Sequence, residues 1–213
     1  MEIFSIEYAL LAMQRALLGE IIPALKAVII DLDKEQQIFY ASFYYDGVVS
    51  EQTIDLWDCA ITEASAALGP DYFVRSQIKR HDYPVIIPIT GYCAYLRMET
   101  NTYNKQEYSF PNIKIMEWSI GYALLSIQIA LLGMVTSALR AVIVDMNSDK
   151  KTLYVRFYYD GEVDEKTIDL WKCAIKESSV NFGQDCILNA NIERLDYPQK
   201  IPCHGRYAYL RKE

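Results

Sequence analysis

Histidine is almost missing from this chain of 213 residues, with only His81 and His204. A site that moves protons or holds a metal through imidazoles has little to draw on. The residues 114 positions away from the two are Leu195 and Thr90, so neither histidine belongs to a duplicated site, and Cys203-His204 is adjacent without further ligand spacing. Glycine-rich phosphate loops are lacking too: Gly47, Gly69 and Gly91 each stand alone at turns. No metal, cofactor-binding or catalytic residue is assigned, and no cofactor is implied. The five cysteines are an odd number without CxxC spacing; Cys59 and Cys173 correspond across the 114-residue offset, whereas Cys93, Cys186 and Cys203 do not. Reduced thiols are expected, with Cys59 and Cys173 as small, partly buried side chains on a helix.

Long apolar runs are lacking as well. The longest, 9 to 18 and 123 to 132, are interrupted by Gln14 and Gln128 and stop at Gly19 and Gly133, short of the roughly 20 residues a membrane span needs. Only Glu2 and Glu7 precede the first run where a signal peptide would carry basic residues, so a cytoplasmic protein is expected. Basic runs are absent, the net charge is −7 and the pI is near 5.0. A protein that neutralises phosphates needs Lys and Arg, and nucleic acid is therefore a poor partner.

What the chain has is a duplication. Phe43-Tyr44-Tyr45-Asp46-Gly47, leading through Val49 and Glu51 to Thr53-Ile54-Asp55-Leu56-Trp57, returns as Phe157-Tyr158-Tyr159-Asp160-Gly161 leading to Thr167-Ile168-Asp169-Leu170-Trp171. The same offset aligns residues 4 to 99 with 118 to 213 without a gap, and about half of the aligned positions are identical. Each copy has the size of a small domain. The expected boundaries are 1–99 and 115–213, with the polar stretch 100–114 as linker. The charge is unevenly shared: residues 1 to 100 hold 7 basic and 14 acidic side chains, residues 115 to 213 hold 12 and 13. The acidic first copy suits a basic protein partner.

Along one copy, Ile6, Ala9, Leu10, Met13, Ala16 and Leu17 recur at helical spacing. The other flank, with Tyr8, Leu11, Leu18 and Ile22, is apolar too, so this helix needs a cover beyond its own sheet, and the twin copy is the nearest. Residues 25–32 and 38–45 read as a hairpin. Phe39, Ala41, Phe43 and Tyr45 form its core face, and Tyr40, Ser42, Tyr44 and Asp46 the other. Ser50 and Asp164 fall at helix N-caps. The helix that follows buries Ile54, Trp57, Ile61, Ala64 and Leu68, while Glu51, Asp55 and Asp58 face out. Two short strands near 72–81 and 92–98, read as a second hairpin, complete the copy. The expected fold class is α+β: a tandem duplication of a two-layer α/β sandwich, each copy running helix-strand-strand-helix-strand-strand over a mainly antiparallel sheet, the two packed as a pseudo-dimer.

Two groups of polar residues stand out. Arg80, Asp82, Arg97 and Glu99 are answered by Arg194, Asp196, Arg211 and Glu213. They read as structural ion pairs that fix the Asp-Tyr-Pro turn. The alternative, a small hydrolase using Asp46 and Asp82, needs a raised carboxyl pKa and a cleft. Tyrosine is abundant, at 17 residues, and Tyr40, Tyr44, Tyr83 and Tyr95 fall where a sheet face or rim would show them, as interfaces favour, unless the twin copy covers them. Tyr40, Tyr44, Asp46, Glu51, Asp55 and Asp58 are the candidate partner-binding set.

Leu17-Leu18-Gly19, Leu25-Lys26-Ala27-Val28, Phe43 to Gly47, Arg80 to Pro84 and Ala94 to Glu99, each repeated 114 positions later, together resemble the small bacterial immunity proteins of colicin-like and contact-dependent growth inhibition toxin systems. The resemblance covers both copies, and the duplication departs from the single-domain pattern. It implies a non-enzymatic protein that binds a toxin domain and blocks it, here a basic one. The rival expectation is a pseudo-dimeric assembly subunit. In either case the copies pack on each other in a monomeric chain, with no nucleic acid and no membrane involved.

Overall fold

The computed structural model describes residues 5–85, 87–88, 90–98, 118–180, 182–183 and 185–213. The expected linker 100–114 and Glu99 lie outside the described residues. The first copy runs α1 (Ile6–Ala16), β1 (Leu25–Asp33), β2 (Ile38–Tyr45), α2 (Glu51–Ala67), β3 (Phe73–Arg80) and β4 (Tyr92–Leu96). The second repeats it as α3 (Ile120–Ala130), β5 (Leu139–Asn147), β6 (Thr152–Tyr159), α4 (Glu165–Val180), β7 (Ile187–Arg194) and β8 (Arg206–Leu210). The side chains expected to cap the second helices do so. Ser50 Oγ accepts from the Thr53 amide at 3.2 Å, and Asp164 Oδ1 accepts from the Thr167 amide at 2.8 Å, satisfying N–H groups that have no intrahelical partner.

Each copy builds a four-stranded sheet, ordered β3-β2-β1-β4 and β7-β6-β5-β8. The β1–β2 and β1–β4 pairings are antiparallel and β2–β3 is parallel. The expected second hairpin does not exist. The helix α2 carries the chain back along the sheet, so β3 joins the β2 edge in parallel. The described residues of the stretch 81–91 then lie over the sheet face opposite the helices, leading to the far edge of β1. Residues 25–30 of β1 are buried on both faces because that crossing segment covers the second one. Ala27, Ile29, Tyr44, Ile87, Cys93 and Leu96 form a small cluster beneath it, joined by Leu132 of the second copy.

The helix-side faces share one core, with Phe39, Phe43 and Trp57 of the first copy and Phe157 and Trp171 of the second at zero exposure. Each indole N–H donates to a backbone carbonyl, Trp57 to Glu20 at 3.1 Å and Trp171 to Met134 at 3.0 Å. The second apolar flank of the opening helices meets its counterpart: α1 packs on α3, and α3 reaches β4. Backbone bonds tie the copies reciprocally. The Gly19 amide donates to Leu210 O and the Gly133 amide to Leu96 O, both at 3.0 Å, and Met98 N–Val135 O and Lys212 N–Ile21 O extend the tie at 2.9 Å. Gly19 and Gly133 adopt φ of 82° and 73°, a left-handed conformation that ends each helix and aims its amide at the other copy. The glutamines that interrupt the apolar runs border this contact, each bonded within its own copy. Gln14 and Gln128 are buried, donate to Ala94 O and Ala208 O at 3.3 and 3.0 Å, and line a cavity of about 30 Å³ between the copies.

Candidate partner-binding surface

The helix α2 lies on the core through Trp57, Ala60, Ile61 and Ala64, which turns Glu51, Asp55 and Asp58 outward, all exposed. They follow one another at four and three residues, so they share a face. With Glu63 they make four carboxylates on a helix that holds no Lys or Arg. The helix α4 is built on the same buried stripe but carries Lys166, Lys172 and Lys176 against Glu165, Asp169 and Glu177. Lys172 Nζ bonds Asp169 Oδ1 at 2.9 Å. The field that α2 projects outward is neutralised within α4.

The remaining members of the expected set are placed differently. Asp46 does not stand free: its Oδ2 takes a 2.6 Å ion pair from Arg97 Nη2, both side chains being mostly covered. Tyr40 is half-buried, with the Arg75 guanidinium 6.0 Å from its ring centre. Tyr44 is buried at 5% exposure, contrary to the expectation that it faces outward. The reason is the crossing segment 81–91, which lays His81 edge-on against its ring at 5.6 Å. Tyr95 is likewise buried, under the twin copy beside Tyr209. Burial pushes the Tyr95 hydroxyl's pKa well up, with the neighbouring Tyr209 adding to it. Tyr83 alone of the four is exposed. Cys59 and Cys173 are exposed as well, not partly buried, since they face out beside Asp58 and Lys172.

The Arg and Asp residues form a staple rather than a cleft. Arg80 Nε holds Asp82 at 2.9 Å, while Asp82 Oδ1 accepts from the Gly47 amide at 2.9 Å, locking the end of β3 to the β2–α2 turn. Arg194, Asp196 and Gly161 repeat the arrangement at 2.9 and 2.8 Å. The Arg80 hydrogen bond, with the Gly47 amide, holds the Asp82 carboxyl below its ordinary range. A general acid needs the opposite shift, so Asp82 lends the hydrolase alternative no support. Arg211 pairs with Asp160 at 3.2 Å and with Glu213 at 3.5 Å. Among the described residues, no three His, Cys, Asp or Glu side chains are grouped to hold a metal ion, and no helix is long and apolar enough to cross a membrane.

Sequence reasoning missed the residue on which each crossing segment rests. Lys26 is fully buried in β1, and its ammonium donates to His81 O at 3.1 Å and to Val85 O at 3.4 Å. Its counterpart Arg140 is at 1% exposure and donates to Leu195 O, to Gln199 O at 3.0 Å and to both carboxylate oxygens of Glu213. A cation inside a run such as Leu25-Lys26-Ala27-Val28-Ile29-Ile30 was the available signal, because a buried charge requires partners.

Each copy of the duplicated sequence has a counterpart among known families. The family model described as MafI2 immunity protein matches residues 7–99 and again residues 121–213. The chain belongs to the MafI2 immunity protein family. Its two matched segments coincide with the two sheets, so the MafI2 domain is present twice in tandem, each time with the same strand order. A search of curated proteins finds no match to the chain.

Proposed function

We propose that the chain is a non-enzymatic immunity protein that binds a basic toxin domain and neutralises it by occlusion, and that the first copy makes the contact. The observation that carries this reading is the contrast between two corresponding helices. The four carboxylates of α2 have no basic residue among them, whereas α4 balances three acidic with three basic side chains. Glu51, Asp55 and Asp58 present the negative field, with the Arg97-paired Asp46 at the turn that leads into α2; Tyr40, on the Tyr44 side of β2, lies across the sheet from that helix. Membership of an immunity-protein family supports a protein partner. The working unit runs as 1–99, a linker over 100–114 and 115–213, the second half serving chiefly as scaffold. Five free thiols fit action in a reducing cytoplasm.

The test is association kinetics between the full chain and the toxin domain encoded in the same locus, inactivated and immobilised. Charge steering acts on the on-rate and is screened over a Debye length of about 8 Å at physiological salt. Reversing Asp55 and Asp58 to Lys is expected to slow association by about tenfold, and Asp169→Lys to leave it nearly unchanged. Equal effects in the two copies, or an on-rate indifferent to salt, would overturn the assignment to α2.

A further inference from the structure

The acidic face steers a partner but offers little to grip, and the grip lies next to it. The staple between Asp82 and the Gly47 amide brings the β2–α2 turn beside the Asp-Tyr-Pro loop. On these adjoining loops Val48 is 89% exposed, Tyr83 54% and Val85 53%. Three large apolar side chains stand exposed on the two loops that this hydrogen bond joins, and exposed apolar groups brought together in this way are where an interface is sought. They stand on a rigid base. The Val85 amide donates to Asp82 O at 3.0 Å, and the buried Lys26 ammonium holds Val85 O from beneath, so little conformational freedom remains to be lost on binding. The second copy is a built-in control. With the same staple and the same Tyr197, it places Glu162 where Val48 stands and Gln199 where Val85 stands. The apolar corner therefore belongs to the copy that carries the acidic helix, and Glu51, in the first turn of α2, follows Val48 by three residues.

We infer that Val48, Tyr83 and Val85 are the anchor by which the first copy holds its partner, a basic protein domain presenting an apolar knob ringed by Lys or Arg. The inference rests on the proposed function and specifies where the same contact is tightest. Aromatic and aliphatic side chains packed at the centre of an interface set the dissociation rate, while charges around them set the encounter.

The experiment uses the full chain and the inactivated toxin domain from its locus, with dissociation and association rates measured separately. The double variant Val48→Glu, Val85→Gln gives the first corner the side chains of the second, and Tyr83→Ala removes the ring. Both change exposed side chains, and an unchanged thermal melt verifies the fold. Dissociation is expected to quicken by about tenfold or more for each, with association altered less than about threefold; Tyr197→Ala is expected to change neither rate. An unaltered dissociation rate in variants that still bind with salt-sensitive association would overturn the anchor and leave the charge-steered reading standing. Failure of the unmodified chain to bind the toxin domain would overturn that reading and the anchor with it.

Discussion

The two copies share most of the side chains that hold the fold, and their sharpest differences in charge and polarity face outward. Trp57 and Trp171 are buried to the same degree and donate to equivalent carbonyls, and Asp82 and Asp196 accept the same turn amide. Outside that skeleton Val48 answers Glu162, Asp58 answers Lys172 and Thr62 answers Lys176. A surface that differs between two halves of one molecule cannot be explained by the needs of the fold, because the fold is met equally well by both versions. What separates α2 from α4 is therefore the place to look for what the chain does.

Removing the shared skeleton should hurt both halves alike. Trp57→Ala and Trp171→Ala each delete a fully buried indole, and each is expected to cost about 3–5 kcal/mol, read from urea unfolding of the full chain. A loss confined to one half would break the equivalence of the two cores. A smaller effect should come from the ion pair that serves the buried cation of the second copy. Arg140, first by hydrogen bonding and then by charge, holds the Glu213 carboxyl below its ordinary value. A carboxyl depressed in the folded state stabilises it above the unfolded value, about 4.3, and this contribution fades as pH falls through the folded value. The melting temperature of Glu213→Gln should thus be lower than that of the unmodified chain at neutral pH and converge with it in acid; parallel curves throughout would remove the pair from the balance. The smallest change is expected at His81, which stands where the second copy has Leu195 and whose buried Nδ1 has no hydrogen-bond partner. His81→Leu should raise stability by about 1 kcal/mol, and a loss would mean that the imidazole contributes more to the Tyr44 contact than leucine can.

Much of this architecture was legible beforehand for identifiable reasons. The offset of 114, the caps at Ser50 and Asp164 and the two-flanked opening helix each depend on local spacing or on self-comparison, which a single sequence carries. The pairing of β3 was not legible, since alternation along Val74, Ser76 and Ile78 is the same whether the strand joins β2 in parallel or β4 in a hairpin. The exposure of tyrosines failed for a related reason: Tyr44 alternates as an outward residue, but the segment that covers it is distant in sequence and reads as loop. Val48 passed unnoticed beside Val49, because an exposed valine and a packed one look alike until the turn is built.

The reciprocal amide ties of Gly19 and Gly133 have a consequence for dosage. Two separate polypeptides joined by such contacts would fall apart on dilution, their pairing governed by the abundance of the free subunits. Joined in a single chain, each half meets the other at an effective concentration fixed by the tether, independent of how many molecules the cell holds. The first molecule synthesised is therefore as completely assembled as the thousandth, with no threshold to cross.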